Sequence, residues 1–157
     1  MIIGGGPAGV SAATYAARLG ADVTLIERDV LGGAANLWDC IPSKAMIVTG
    51  GELNQIRSAA GMGLESMDPQ VDLDALRTRI AVITAQLEGS NRQLLESQSV
   101  NLVSGTGRLV DDHTVVATTD SGEQTFSADA ILVSTGSRPR IPQWCTPDGD
   151  RVLTTRD

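Results

Sequence analysis

Hydrophobic positions in this chain alternate between short continuous runs and helical spacing, and each switch marks an element. Ile2 and Ile3 open an apolar strand that leads directly into a glycine-rich turn, Gly4 to Gly9. Ala12 to Leu19 follow as an alanine-rich helix, and Gly20 stands where a left-handed residue ends such a helix. Asp22 to Glu27, reading DVTLIE, is rich in β-branched residues and has the length of a strand. Strand, turn, helix and strand in this order predict a βαβ unit with a parallel sheet and a right-handed crossover. Only two apolar residues precede the glycines, so the first strand is expected to be short or to begin upstream.

The pattern continues with a helix from about Lys44 to Ile56 and a loop over Gly61 to Pro69. Leu73, Leu76, Ile80, Ile83 and Leu87 recur at steps of three and four, marking one face of a long helix with Asp72 as its N-cap. Asn101 to Val110, Thr114 to Thr119 and Gln124 to Ser127 read as strands of a small antiparallel meander. Ala130 to Ser134, AILVS, is a continuous apolar run, expected to be a strand buried on both faces that rejoins the parallel sheet. After Pro139 the chain is rich in Pro, Asp, Gly and Thr and reads as irregular.

Composition narrows the function classes. A length of 157 residues suits one domain, and 41% hydrophobic with 20% charged residues is ordinary for a globular protein. The net charge of −7 argues against nucleic acid or an anionic membrane as partner, and aromatics at 3% leave few stacking platforms for single strands. No apolar run reaches the length of a membrane span. The two cysteines, Cys40 and Cys145, are too few and too far apart for a disulfide scaffold, and a reduced, cytoplasmic protein is expected.

Gly4, Gly6 and Gly9 fit the G-x-G-x-x-G turn between a strand and a helix. In that motif the first glycine permits the turn, the second admits a pyrophosphate to the backbone, and the third lets helix and strand touch. The helix N-terminus then offers free N–H groups and partial positive charge to the phosphates. Glu27 ends the next strand, 18 residues beyond Gly9, where a carboxylate accepts hydrogen bonds from a ribose hydroxyl. The spacing predicts a dinucleotide site and accommodates NAD as well as FAD. His113, the single histidine, lies beside Asp111 and Asp112 in a turn and reads as a solvated loop residue.

The segment Gly32 to Lys44, GGAANLWDCIPSK, resembles the redox-cysteine segment GGTCxNxGCxPSK of the flavoprotein disulfide reductases. Gly32, Gly33, Cys40, Pro42, Ser43 and Lys44 match it, but the first cysteine of the pair falls on Ala35. The GGGPAG wording of Gly4 to Gly9 resembles the FAD-type turn of the same proteins, and Ser134 to Pro139, STGSRP, resembles their ATGSRP crossing beside the flavin. The resemblance runs from Gly4 to about Asp157 and is closest to actinobacterial NAD(P)H:quinone reductases, which look like dihydrolipoamide dehydrogenase without its disulfide. It implies an α/β fold: a Rossmann-like FAD-binding domain with an inserted antiparallel meander. Residues 1–150 are then an incomplete FAD-binding domain. Residues 151–157 begin a linker to a nicotinamide-binding domain that is not in these residues, since no second glycine fingerprint follows.

The resemblance implies cofactor contacts at Gly4, Gly6, Pro7, Ala8, Gly9, Glu27, Gly33, Lys44, Gly107, Thr135, Gly136 and Ser137. Lys44 is expected near the flavin N5, and Gly107 near the adenine; on the residues alone Gly107 reads as a hairpin glycine. Ala34 replaces the family threonine, Asn36 and Leu37 are shifted against its asparagine, and Asp39 replaces its glycine. Cys40 has two readings: a thiolate beside the flavin, favoured by a helix N-terminus, or a small buried hydrophobe without redox role. The implied activity is FAD-dependent oxidation of NAD(P)H, with electrons passed directly to a quinone or similar small-molecule acceptor by a homodimeric parent. Two alternatives stand beside it: a disulfide reductase that recruits another thiol such as Cys145, and a non-catalytic dinucleotide-binding module.

Overall fold

The computed structural model describes residues 1–156; Asp157, at the end of the expected linker, lies outside the described residues. The chain runs β1 (Ile2–Ile3), α1 (Pro7–Arg18), β2 (Thr24–Glu27), a π-helical turn (Ala35–Asp39) and α2 (Ile41–Ser58). A 3-10 turn (Ala59–Met62) and the long α3 (Leu73–Ser97) follow. The second half holds β3 (Asn101–Ser104), β4 (Thr106–Leu109), β5 (Thr114–Thr119), β6 (Gly122–Ser127) and β7 (Leu132–Val133). Two sheets result: a parallel one in the order β3-β2-β1-β7 and an antiparallel one in the order β4-β5-β6. This is the α/β architecture with an inserted meander that the pattern predicts.

The parallel sheet is the middle of three layers, as the alternation of its side chains requires. Ile2 pairs with Leu25 and Ile3 with Ile26, so each pair shares a face. Ile2 and Leu25 pack with Val10, Ala13, Leu95 and Val100 on the helical side. Ile3 and Ile26 pack with Val115 and Ala117 of the meander on the other. Asp72 caps α3 as expected, its Oδ1 accepting from the backbone N–H groups of Asp74 at 3.0 Å and Ala75 at 2.9 Å. Proline at the first position starts α1 at Pro7, five residues before the expected Ala12, because the missing N–H is unneeded there.

Three expectations are corrected. Asn101 to Val110 is not one strand: it breaks at Gly105, with β3 parallel to β2 and β4 antiparallel to β5. A Cβ on Gly105 would stand 2.5 Å from the Thr118 carbonyl oxygen, so the chain changes sheets where only glycine clears the crossing backbone. The apolar run Ala130 to Ser134 supplies only the short β7, and it is not buried on both faces. Leu132 and Val133 are 44% and 57% exposed, and among the described residues β7 pairs only with β1, at the edge of the sheet. The expected loop Gly61 to Pro69 begins inside the 3-10 turn that continues α2. Beyond Pro139 the described chain is irregular, as expected, with one turn in which Asp148 Oδ1 accepts from the backbone N–H groups of Asp150, Arg151 and Val152.

Leu25 is fully buried between β1, β3 and the helices. Leu25→Ala is expected to destabilise the fold by about 2–5 kcal/mol in denaturant titration, through lost burial and the cavity left behind. A loss below about 0.5 kcal/mol, typical of surface sites, would remove Leu25 from the core.

Candidate dinucleotide-binding site

A cleft of about 660 Å³ opens beyond the carboxyl ends of β1, β2 and β7, the position where open parallel sheets bind ligands. Gly4, Gly6, Pro7, Ala8, Glu27, Gly33, Gly107, Thr135, Gly136 and Ser137 all line it. Of the expected site residues, Gly9, Cys40 and Lys44 do not. Gly9 lies one turn into α1, where it serves packing: a Cβ there would collide with the Gly4 carbonyl oxygen.

The glycines of the turn thus divide by cause. Gly4 adopts φ +102°, and a Cβ on it would meet the Ser134 carbonyl oxygen at 2.5 Å. At Gly6 a Cβ would meet nothing within 4 Å. Gly6 is the N-cap of α1 and its side-chain direction is open space at the helix N-terminus, so the cradle a phosphate needs is present. A Cβ on Gly33 would stand 3.0 Å from Gly6 Cα, which shows how closely the two backbones approach. The residues present therefore fit a pyrophosphate-bearing cofactor.

Glu27 fastens the turn and faces the cleft. Its Oε2 accepts from the Gly5 N–H at 2.6 Å and its Oε1 from the Asp29 N–H at 2.8 Å. A carboxylate has about four lone-pair sites, so acceptor capacity for a ribose hydroxyl remains. Gly107 is not a hairpin glycine: it lies mid-strand in β4, where a Cβ would stand 2.9 Å from Ile3 Cγ2. Ser134 ties β7 to the turn, its N–H donating to Ile3 O at 2.8 Å and its hydroxyl to Gly4 O at 2.9 Å.

The cysteine segment forms the π-helical turn, closed by the Cys40 N–H donating to Ala35 O at 3.1 Å. The Ser43 hydroxyl donates to Asp39 O at 2.9 Å, and buried Asn36 donates from Nδ2 to Leu31 O at 3.2 Å. Cys40 is exposed at the start of α2, which corrects the reading of it as a buried hydrophobe. Both Cys40 and Cys145 are free thiols. Lys44 is exposed on the first turn of α2.

His113 is exposed and outside the lining, its N–H bonded to Asp111 Oδ1 at 2.9 Å. That backbone N–H holds the Asp111 carboxyl below its usual range, and the Val152 N–H does the same for Asp148. Both turns therefore keep this contribution above the ordinary carboxylate range and lose it as pH falls through the lowered values. Residues that sequence reasoning missed include Arg28, Asp29, Trp38, Arg138 and Arg156, all of which line the cleft. Arg138 was within reach, as part of STGSRP; nothing local marks Arg156.

A βαβ turn with an open second glycine, a carboxylate at the end of β2 and a returning strand define a dinucleotide-binding α/β domain. The chain belongs to the pyridine nucleotide-disulphide oxidoreductase family, whose pattern it matches over residues 1–155. It is 37% identical to dihydrolipoyl dehydrogenase 2 of Haloarcula marismortui, over 100% of this chain and 34% of that protein. It is 36% identical to an NAD(P)H dehydrogenase (quinone) of Mycobacterium tuberculosis, over 99% of this chain and 34% of that protein. The chain thus spans about a third of the length of these curated relatives. Among solved structures, LpdA from Mycobacterium tuberculosis superposes with a TM-score of 0.88 at 36% identity, covering 99% of this chain and 35% of that one.

Gly6 has φ −68° and ψ −175°, a conformation open to any L-residue. Gly6→Ala is therefore expected to change stability without ligand by no more than about 1 kcal/mol while lowering affinity for a pyrophosphate ligand such as ADP about tenfold or more. Unchanged affinity in a titration by calorimetry would remove the phosphate cradle from Gly6.

Proposed function

We propose that the cleft holds FAD and that the whole protein is an FAD-dependent NAD(P)H oxidoreductase delivering electrons directly to a quinone-type acceptor. The observation that carries this reading is a fitted phosphate cradle bordered by a cysteine segment with Ala35 in place of one thiol. A single thiol at Cys40 cannot form a disulfide within the turn, so the acceptor chemistry of a dithiol is absent from this segment. The 36% identity to a protein named NAD(P)H dehydrogenase (quinone) supports the same direction.

Bound there, FAD supplies the two-electron exchange between NAD(P)H and the acceptor. The chain's own part is placement. The N-terminus of α1 receives the phosphates, Glu27 accepts the ribose hydroxyl, and Gly33 keeps the backbone close to Gly6. Glu27, Arg28 and Asp29 leave the adenosine half to that part of the cleft. Gly33 to Ala35, Trp38 and Thr135 to Ser137 are then the walls for the flavin half. Lys44 and Cys40, at the start of α2 and outside the lining of the cleft, are assigned a tuning and an auxiliary role that act on the flavin from behind the Ala35–Trp38 wall. NAD(P)H binding is assigned to a domain outside these residues, and the parent protein to a homodimer. Among the described residues no helix is long and apolar enough to cross a membrane. A reducing, cytoplasmic setting is proposed from the low cysteine count.

The second reading, a dihydrolipoamide dehydrogenase that recruits Cys145, draws on the 37% identity to a dihydrolipoyl dehydrogenase. Steady-state assays of the full-length protein with NADH and NADPH separate the two. The expected kcat/KM for menadione exceeds that for lipoamide roughly a hundredfold or more. Efficient lipoamide reduction with poor quinone reduction would sink the proposal, and loss of that activity in Cys145→Ser would establish the second reading. Flavin absorbance bands that bleach on adding NAD(P)H exclude a non-catalytic binding module.

A further inference from the structure

Arg156 lies far along the chain from the cysteine segment, in an irregular stretch, yet its side chain is only 22% exposed. Its guanidinium stacks over the Trp38 ring, 5.2 Å from the centroid, and its Nη2 lies 3.5 Å from Asp39 Oδ2. The same nitrogen donates to Ser137 O at 2.8 Å. Thr155 adds a second tie, its hydroxyl donating to Asp39 Oδ1 at 3.3 Å. Trp38, Ser137 and Arg156 all line the cleft. One side chain thus joins two walls that come from distant parts of the sequence.

The joint acts on a segment that carries a single thiol. With Ala35 opposite Cys40, no sulfur bridge can tie the two ends of the π-helical turn. Asp39 and Trp38, its last two residues, are the ones the guanidinium holds. A planar cation suits both at once, because its face stacks on an aromatic ring while its edge donates to carboxylate and carbonyl oxygens. Lysine retains the charge but lacks the planar face that stacks on the ring.

We propose that Arg156 is a positioning residue that clamps the Trp38–Asp39 turn to the Ser137 wall and so sets the part of the cleft assigned to the flavin half of the cofactor. The clamp is a property of this chain's own side chains; its consequence for FAD rests on the reading of the cleft as an FAD site.

The test uses the full-length protein labelled with 5-fluorotryptophan, freed of bound cofactor, with Trp38 assigned by Trp38→Phe. In Arg156→Gln the Trp38 fluorine resonance is expected to shift toward that of a solvent-exposed ring. FAD affinity is expected to fall roughly tenfold while ADP affinity stays within about twofold, because only the flavin half meets the clamped walls. Arg156→Lys is expected to fall between wild type and Arg156→Gln in both readouts. An unmoved Trp38 resonance, or equal losses for FAD and ADP, overturns the proposal. Wild-type protein that binds neither FAD nor ADP would overturn the FAD reading instead, and the Trp38 resonance still decides the clamp.

Discussion

The carbonyl oxygen of Ser134 occupies the space that a Cβ on Gly4 would need, and the carbonyl oxygen of Gly4 occupies the space that a Cβ on Gly9 would need. The end of β1, the end of β7 and the first turn of α1 therefore meet at one node of touching backbones. Two hydrogen bonds from Ser134 hold it, the N–H to Ile3 O at 2.8 Å and the hydroxyl to Gly4 O at 2.9 Å. The node aims α1, and with it the direction in which the helix N-terminus offers its free N–H groups to an anion. The same helix carries Val10 and Ala13 into the core over Leu25. Ligand geometry and core packing are thus one constraint, and a side chain at Gly4 or Gly9 disturbs both. At Gly6 the two separate, since a side chain there meets only the cleft.

Charge follows the same economy. The chain as a whole carries −7, yet Arg28, Arg138 and Arg156 line the cleft against Glu27 and Asp29. The charged side chains of the lining thus come close to balance, in contrast to the negative chain as a whole. Glu27 is one of the negative members of that lining and is held in place by backbone donors. Its carboxylate is held by the N–H groups of Gly5 and Asp29, so it stands oriented before any hydroxyl arrives.

What could be read from the residues is what local chemistry determines. The glycines of the turn, Gly20 after α1 and Asp72 before α3 act within a few residues of themselves, and the βαβ unit and the capped helix followed from them. Gly105 could not be read this way. Its neighbours form a continuous β-prone run, and the reason for the break is the backbone of Thr118, which folding brings across it. The apolar run before Ser134 failed for a related cause: its composition reports that burial is wanted but not which element supplies it. Gly107 carried two readings, and the structure adds a third, close packing on Ile3. For the site, the turn residues that line the cleft at the N-terminus of α1, and Glu27, were visible in the glycine spacing. The far wall was not, because Trp38 and Arg156 acquire meaning only once the chain has closed on itself.

The π-helical turn shows what the alanine at 35 changes and what it leaves. The turn keeps its closing bond from Cys40 N–H to Ala35 O at 3.1 Å, which needs no side chain at 35. Asn36 still holds Leu31 O, packed against Gly32, and the Ser43 hydroxyl still holds Asp39 O. Gly33 still brings its backbone against Gly6. The shape of the segment is therefore set by backbone and polar contacts that are independent of a second sulfur. Replacing cysteine by alanine at 35 removes the capacity for an internal disulfide while leaving the wall of the cleft in place. The contacts that shape this wall of the cleft therefore do not depend on a second thiol at position 35.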